Sequence, residues 1–203
     1  MARQGDLFAG AAAPAPTEPD RELILSRQQL LDWQGRLAAH QGPLFSADRP
    51  PTSGQGLLFA LDGDPTGTPA SVGLSGMELL ALHPQPMSFW RWPQADHRGA
   101  ALYFVTDHPS DRPHPLLLYV GETAHADRRW KGEHDCKSYL ARYGEALQRQ
   151  GLIPRLSIRF WLDAPTGIRA RRTLEQVLIQ HWLPPFNKET RQRWQAPFTA
   201  LEG

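Results

Sequence analysis

Glu175, Arg129 and His134 in this 203-residue chain are side chains of types that could act on a phosphate ester. Hydrolysis of a phosphodiester needs an activated water, a cation over the charge that develops at phosphorus, and help for the leaving oxygen. Glu175 is a hard oxygen ligand, and one carboxylate completed by waters and a substrate phosphate is a common way for Mg²⁺ to be held. The Arg129 guanidinium can fork two hydrogen bonds onto phosphate oxygens. The His134 imidazole titrates near neutral pH and can accept a proton. Tyr103 and Tyr119 also carry ionisable groups, but a phenol with a pKa of about 10 is a poor base unless a metal or an arginine lowers it. Each residue has a plainer reading as well. The tyrosines can pack on a sheet, Glu175 can pair with Arg171 or Arg172 on a helix surface, and Arg129 can be a solvated cation.

The elements that would carry these residues are legible in the pattern. Ala100 to Val105 and Leu116 to Val120 are short, β-rich apolar runs separated by a segment with three prolines, which predicts a hairpin with a long loop and its tyrosines near strand ends. The stretch from Ala126 to about Gln150 permits a helix interrupted near Gly132 and Gly144. Leu156 to Leu162 alternates as a strand does. Thr166 is positioned to cap a last helix, with Leu174, Leu178 and Trp182 on one stripe and Pro184-Pro185 as the stop. The order β-β-α-β-α predicts a small α+β domain, its helices packed around a central, mostly antiparallel sheet. Upstream, Ser26 is placed to cap a helix carrying Leu30, Leu31, Trp33 and Leu37 that ends at Gln41-Gly42. Residues 43 to 76 read as irregular, with a short strand at Leu57 to Leu61. The divisions expected are a flexible tail over 1–20, a helical and irregular extension over 21–98, and the denser domain over 99–203.

Over residues 99 to 190 the chain resembles the GIY-YIG nuclease family. Ala101-Leu102-Tyr103 stands where the family has its first signature, and Tyr119-Val120-Gly121 stands at the second. Arg129 follows Gly121 by eight residues and begins RWKGEH; Glu175 lies on the late helix, and Asn187 comes twelve residues after it in PPFN. The resemblance implies a β-β-α-β-α nuclease domain that hydrolyses DNA with Mg²⁺ or Mn²⁺. It also implies that Arg129 neutralises phosphate, Glu175 holds the metal, Tyr103 and Tyr119 organise the attacking water, and Asn187 braces the site; apart from the resemblance, the imidazole of His134 is an alternative proton acceptor. Arg128, Lys131, Lys137, Arg171 and Arg172 are the cations expected to meet the DNA backbone. Glu122 follows the second signature where some members have lysine, and an anion beside a scissile phosphate weakens binding unless it is turned away. A catalytically silent nucleic-acid-binding adaptor of the same fold and a restriction-type endonuclease are the alternative readings.

Gln-Gly-x-Leu-Phe occurs three times, at Gln4 to Phe8, Gln41 to Phe45 and Gln55 to Phe59. The first resembles the bacterial sliding-clamp-binding peptide. It implies that Leu7 and Phe8 enter an apolar pocket while Gln4 and Asp6 make polar contacts, with the Ala/Pro run of residues 11 to 16 as a tether. Such a link places the activity in DNA repair or mismatch correction. For the inner two copies, packing of Phe45 and Phe59 on the protein itself is the better reading. Trp90 and Trp92 in SFWRWP can stack bases or pack where the amino-terminal region docks.

The net charge of +1 hides an asymmetry. Residues 1–100 carry 7 basic and 10 acidic side chains, and residues 101–203 carry 15 and 11, so the denser half is the basic one. A moderately basic domain favours a phosphate-bearing partner, although a solvated surface reads the same way. The single cysteine, Cys136, excludes an intrachain disulfide and a multi-cysteine zinc site. No apolar run reaches the ~18 residues of a membrane span, and the amino terminus has no secretory core. A cytoplasmic protein is expected, with its oligomeric state left open.

Overall fold

A computed structural model describes residues 25–47, 74–88, 99–126 and 135–199. Among them are four α-helices and one four-stranded sheet, an α+β arrangement. The strands are β1 (Gln85–Pro86), β2 (Ala101–Asp107), β3 (Leu116–Thr123) and β4 (Leu156–Trp161), in the order β1-β4-β2-β3 with every pairing antiparallel. The helices are α1 (Arg27–Phe45), α2 (Gly76–Ala81), α3 (Asp135–Arg149) and α4 (Ile168–Trp182). Two 3-10 turns follow, at Arg191–Trp194 and Pro197–Thr199. From β2 onward the order is the expected β-β-α-β-α.

The sheet is covered on both faces, which explains why β2 is a nearly continuous apolar run and is buried along its whole length. Ala101, Tyr103 and Val105 join α1 and α3 residues in one core, among them Leu30, Trp33, Leu37, Tyr139 and Tyr143. Leu102 and Phe104 point to the other face and pack with Leu174, Leu178 and Trp182 of α4. The predicted α4 stripe is therefore a core stripe, and burying each such side chain contributes about 1.5–3 kcal/mol. Because α1 shares its core with the sheet, this part of the amino-terminal region is structurally continuous with the later half.

Several boundaries differ from the sequence reading. Ser26 does cap α1, and Gln29 completes a capping box. The helix nevertheless runs past Gln41-Gly42, and past Pro43, to Phe45. Tertiary contacts outweigh the helix breakers: Phe45 is buried with its ring 4.6 Å from that of Trp182, and the Gln41 amide is spent on β3. Gln41 Nε2 donates to the Leu117 carbonyl at 3.0 Å and to the Trp182 carbonyl at 3.1 Å, while the Leu117 N–H donates to Gln41 Oε1 at 2.8 Å. The second Gln-Gly-x-Leu-Phe copy is thus a structural element built into the core. Gly144 does not interrupt α3, which is continuous around it. Thr166 is not the α4 cap: Gly167 holds that position with no side-chain bond. The Leu57 to Leu61 strand, the third Gln-Gly-x-Leu-Phe copy, and Trp90 and Trp92 lie outside the described residues.

One irregularity sets the register at the site. The β2–β3 pairing shifts between Val105 and Thr106, so Val105 faces Tyr119 while Thr106 faces Leu117. Leu118 is left over as a bulge, and its carbonyl accepts from the Phe186 N–H at 3.0 Å.

Candidate functional site

The two sequence signatures meet as neighbours in the hairpin. Tyr103 and Tyr119 both lie inside their strands, not near strand ends, and Tyr103 pairs directly with Gly121. Its ring covers that glycine so closely that a Cβ at position 121 would collide with the phenol. This is a physical reason for the glycine in Tyr119-Val120-Gly121: the residue facing Tyr103 must have no side chain. Tyr119 projects to the same face, and its ring stacks on that of Tyr103 with centroids 5.9 Å apart and planes 25° apart. Phe160 flanks Tyr103 at 6.0 Å. Tyr103 is completely buried, whereas Tyr119 is only partly so. Of the two residues, Tyr119 is the less buried.

The outer edge of β3 is fastened by side chains from later in the chain. Asn187 is buried; its Oδ1 accepts from the Val120 N–H at 2.9 Å and its Nδ2 donates to the Val120 carbonyl at 2.8 Å. Two residues along, the Glu122 N–H donates to Glu175 Oε1 at 2.9 Å. Glu175 is partly buried on α4, so its carboxylate is held at the strand edge by a backbone amide. Its predicted structural partners, Arg171 and Arg172, are directed elsewhere.

Both arginines bond to Glu122. Arg171 Nε donates to Glu122 Oε2 at 2.9 Å, and Arg172 Nε reaches Glu122 Oε1 at 3.4 Å. Arg171 Nη1 also donates to the carbonyls of Pro165 and Thr166, at 3.1 and 2.8 Å. Arg171 was expected to meet DNA, but its side chain is only 1% exposed, so it is an internal brace and not a surface cation. Arg172, at 65% exposed, remains a surface cation. Lys137 lies near the start of α3, partly exposed. The role of Glu122 is what the sequence reading missed. Its signal was present in the acid at the strand end and the adjacent arginines of the late helix, but nothing in the spacing shows that they meet.

Arg128, Arg129, Lys131 and His134 lie outside the described residues, as do Gln4, Asp6, Leu7 and Phe8. The described portion of the site is therefore the stacked tyrosine pair, the Asn187 clasp and Glu175 on the edge of β3, with Glu122 and two arginines beside it.

The described oxygen donors at the site are the Glu175 carboxylate, which accepts from the Glu122 N–H, and the arginine-bound Glu122 carboxylate. Glu175 is a carboxylate at a partly exposed position, while the Glu122 carboxylate is committed to arginines. Among the described residues no three His, Cys, Asp or Glu side chains cluster to form a metal cage. One carboxylate completed by waters and phosphate oxygens is an arrangement that Mg²⁺ accepts and that zinc, with its preference for three or four nitrogen and sulfur ligands, does not. No described helix is long and apolar enough to cross a membrane. Comparison with protein-family models, with curated proteins and with solved structures gave no significant match.

Proposed function

We propose that this chain is a metal-dependent DNA endonuclease acting in repair or mismatch correction, with Mg²⁺ or Mn²⁺ as cofactor and its amino-terminal peptide as a link to the sliding clamp. The observation that carries this reading is the carboxylate of Glu175, fastened to the Glu122 amide at the end of the strand that bears Tyr119, on a sheet where Tyr103 and Gly121 interlock. A catalytic carboxylate must be held in place before substrate arrives, and a backbone donor holds it without competing for charge.

In this mechanism Glu175 would hold the divalent cation, which supplies Lewis-acid stabilisation of the phosphate when bound. Tyr119 orients the attacking water, as the less buried of the two tyrosines. Tyr103 fixes the plane of Tyr119 by stacking and takes no part in proton transfer. Asn187 keeps Val120, between Tyr119 and Gly121, from shifting along the strand. Arg172 contributes positive charge toward the DNA backbone, with Arg129 as the residue proposed to neutralise the phosphate.

The test is incubation of the purified full chain with supercoiled, branched and mismatched DNA in Mg²⁺ or Mn²⁺. New ends are expected from the wild type and none from Glu175→Ala, which should still bind DNA. Cleavage that survives this substitution, or chelation of all divalent metal, overturns the mechanism. One observation favours the adaptor reading: Glu175 satisfies the β3 edge and so has a structural reason to be acidic without any metal. Under that reading DNA is bound and no ends appear.

A further inference from the structure

We infer that Glu122 is a positioning residue for the proposed cleavage site: through Arg171 it aims Glu175, and through Arg172 it parks a cation for release to a substrate phosphate. The inference rests on the nuclease reading and gives a role to a residue that reads as a liability in the sequence.

The start of α4 is electrostatically awkward on its own. It has no side-chain cap and no acid in its first turn, yet Arg169, Arg171 and Arg172 all lie near that end. Cations there oppose the helix dipole. Glu122 supplies the missing anion from the neighbouring strand. Its first partner, Arg171, is buried to 1%, so the guanidinium depends on the carboxylate and on the carbonyls of Pro165 and Thr166 for its hydrogen bonds. The result ties the loop before α4, the first turn of α4 and the end of β3 into one unit. Glu175, one turn further along α4, then meets the backbone N–H of Glu122 itself. The same residue therefore anchors the helix with its side chain and receives the functional carboxylate with its main chain.

The second partner is bound differently. Arg172 is 65% exposed and its Nε lies 3.4 Å from Glu122, long for a charge-assisted bond. Exposed pairs of this kind are worth little, so Arg172 can leave at little cost when a second anion arrives. A phosphodiester is such an anion. Glu122 thus sorts two arginines, a buried one fixed to the fold and an exposed one available to substrate. Its own charge is turned toward α4, as an acid next to a phosphate-binding site must be.

The discriminating variants are Glu122→Gln, which keeps the shape and removes the charge, and Arg171→Lys, which keeps the charge and removes the fork. With the full chain and DNA in Mg²⁺, Glu122→Gln should lower kcat at least tenfold while KM for DNA stays level or falls, because one anion near the phosphate is gone. Arg172→Ala should raise KM and reduce the slope of log KM against log salt by about one phosphate contact. Unchanged kcat in Glu122→Gln, or a kcat loss matched by a rise in KM and lost folding cooperativity, overturns the inference. Should Glu122→Gln fail to fold, the double variant Glu122→Leu/Arg171→Met replaces the pair by apolar groups of similar size. Recovery of the fold with kcat still depressed supports positioning, and full recovery of kcat overturns it. Amide chemical shifts provide a readout independent of cleavage. Arg171→Lys should move the ¹⁵N–¹H resonance of Glu122 toward its value in Glu175→Gln. No movement defeats the brace. Absence of cleavage by the wild type defeats the nuclease reading and leaves the amide shift to decide the brace alone.

Discussion

The Asn187 side chain and the Val120 backbone close a two-bond ring, with the amide oxygen taking the strand N–H and the amide nitrogen giving to the strand carbonyl. It acts as one more rung of the sheet, made by a single side chain. Removing it in Asn187→Ala leaves two buried backbone groups without partners, a cost of about 1–3 kcal/mol for each. A fall in urea midpoint of the corresponding size with an unchanged m-value is expected. Asn187→Asp should be as harmful, since the carboxylate has no donor for the Val120 carbonyl. Little change in either variant would mean that the clasp is dispensable.

Gly121→Ala tests the interlock with Tyr103. The added methyl meets the phenol ring directly, and overpacking in a close-packed sheet costs about 1–3 kcal/mol. The double variant Gly121→Ala/Tyr103→Leu should recover part of the loss, because the shorter side chain leaves room. Denaturant unfolding of the four species of this cycle checks it, and simple additivity would contradict it.

His40 and His181 make stability depend on pH. Burial is the main cause that lowers both below the ordinary histidine value of about 6.5, helped for His40 by the charge of Arg193 and for His181 by His40. In the window between the folded values and 6.5 the unfolded chain binds more protons, so stability should fall as the pH drops through it. Thermal melts of the wild type and of His40→Gln/His181→Gln at pH 7.5 and pH 5.5 measure this. The wild type should lose more on acidification than the double variant. Equal losses would remove these residues as the cause.

The amino-terminal peptide is tested apart from cleavage. A synthetic peptide of residues 1 to 10 should bind a bacterial sliding clamp, and its Leu7→Ala/Phe8→Ala version should bind at least tenfold more weakly. Equal binding by the two peptides removes the clamp link and leaves the nuclease proposal untouched.

Asp107 provides a further check, at a buried network with no assigned role. Its carboxylate accepts from the Tyr143 hydroxyl and the Arg155 N–H, both at 2.7 Å, while Gln34 Nε2 donates to the same hydroxyl at 2.7 Å. Burial dominates and raises the Asp107 pKa, and burial also raises that of Tyr143. A raised acid contributes stability that is fully present below its ordinary value of about 3.9 and lost as pH rises through the folded value. Asp107→Asn should therefore flatten the stability profile in the acid range, as followed by denaturant midpoints between pH 3.5 and 6.

What the sequence disclosed and what it concealed follow from the range of the interactions. Strand and helix identities came from local periodicity: the Leu174, Leu178 and Trp182 stripe is one face of α4, and Leu156 to Trp161 is β4. The Ser26 cap is a contact across three residues and was equally legible. The end of α1 was not, because Gly42 and Pro43 signal a stop that Phe45 and Gln41 override through contacts with residues more than seventy positions away. At the candidate site the same division holds. Tyr103, Gly121 and Glu175 were nameable from type and spacing, whereas the orientation of Glu122 toward Arg171 depends on how α4 lies against β3. Arg171 and Arg172 are adjacent in sequence and alike in chemistry; only the packing of α4 buries one and exposes the other.

The fastening of β3 also bears on self-assembly. An open strand edge is a template on which a second chain can add a strand. Here the outward groups of Leu117 and Val120 are matched by side-chain amides, and the outward N–H of Glu122 by a carboxylate. At the opposite margin, β1 is two residues long and includes Pro86, which has no N–H to offer. The contacts that hold the candidate site together therefore also occupy much of the β3 edge on which a second strand could add.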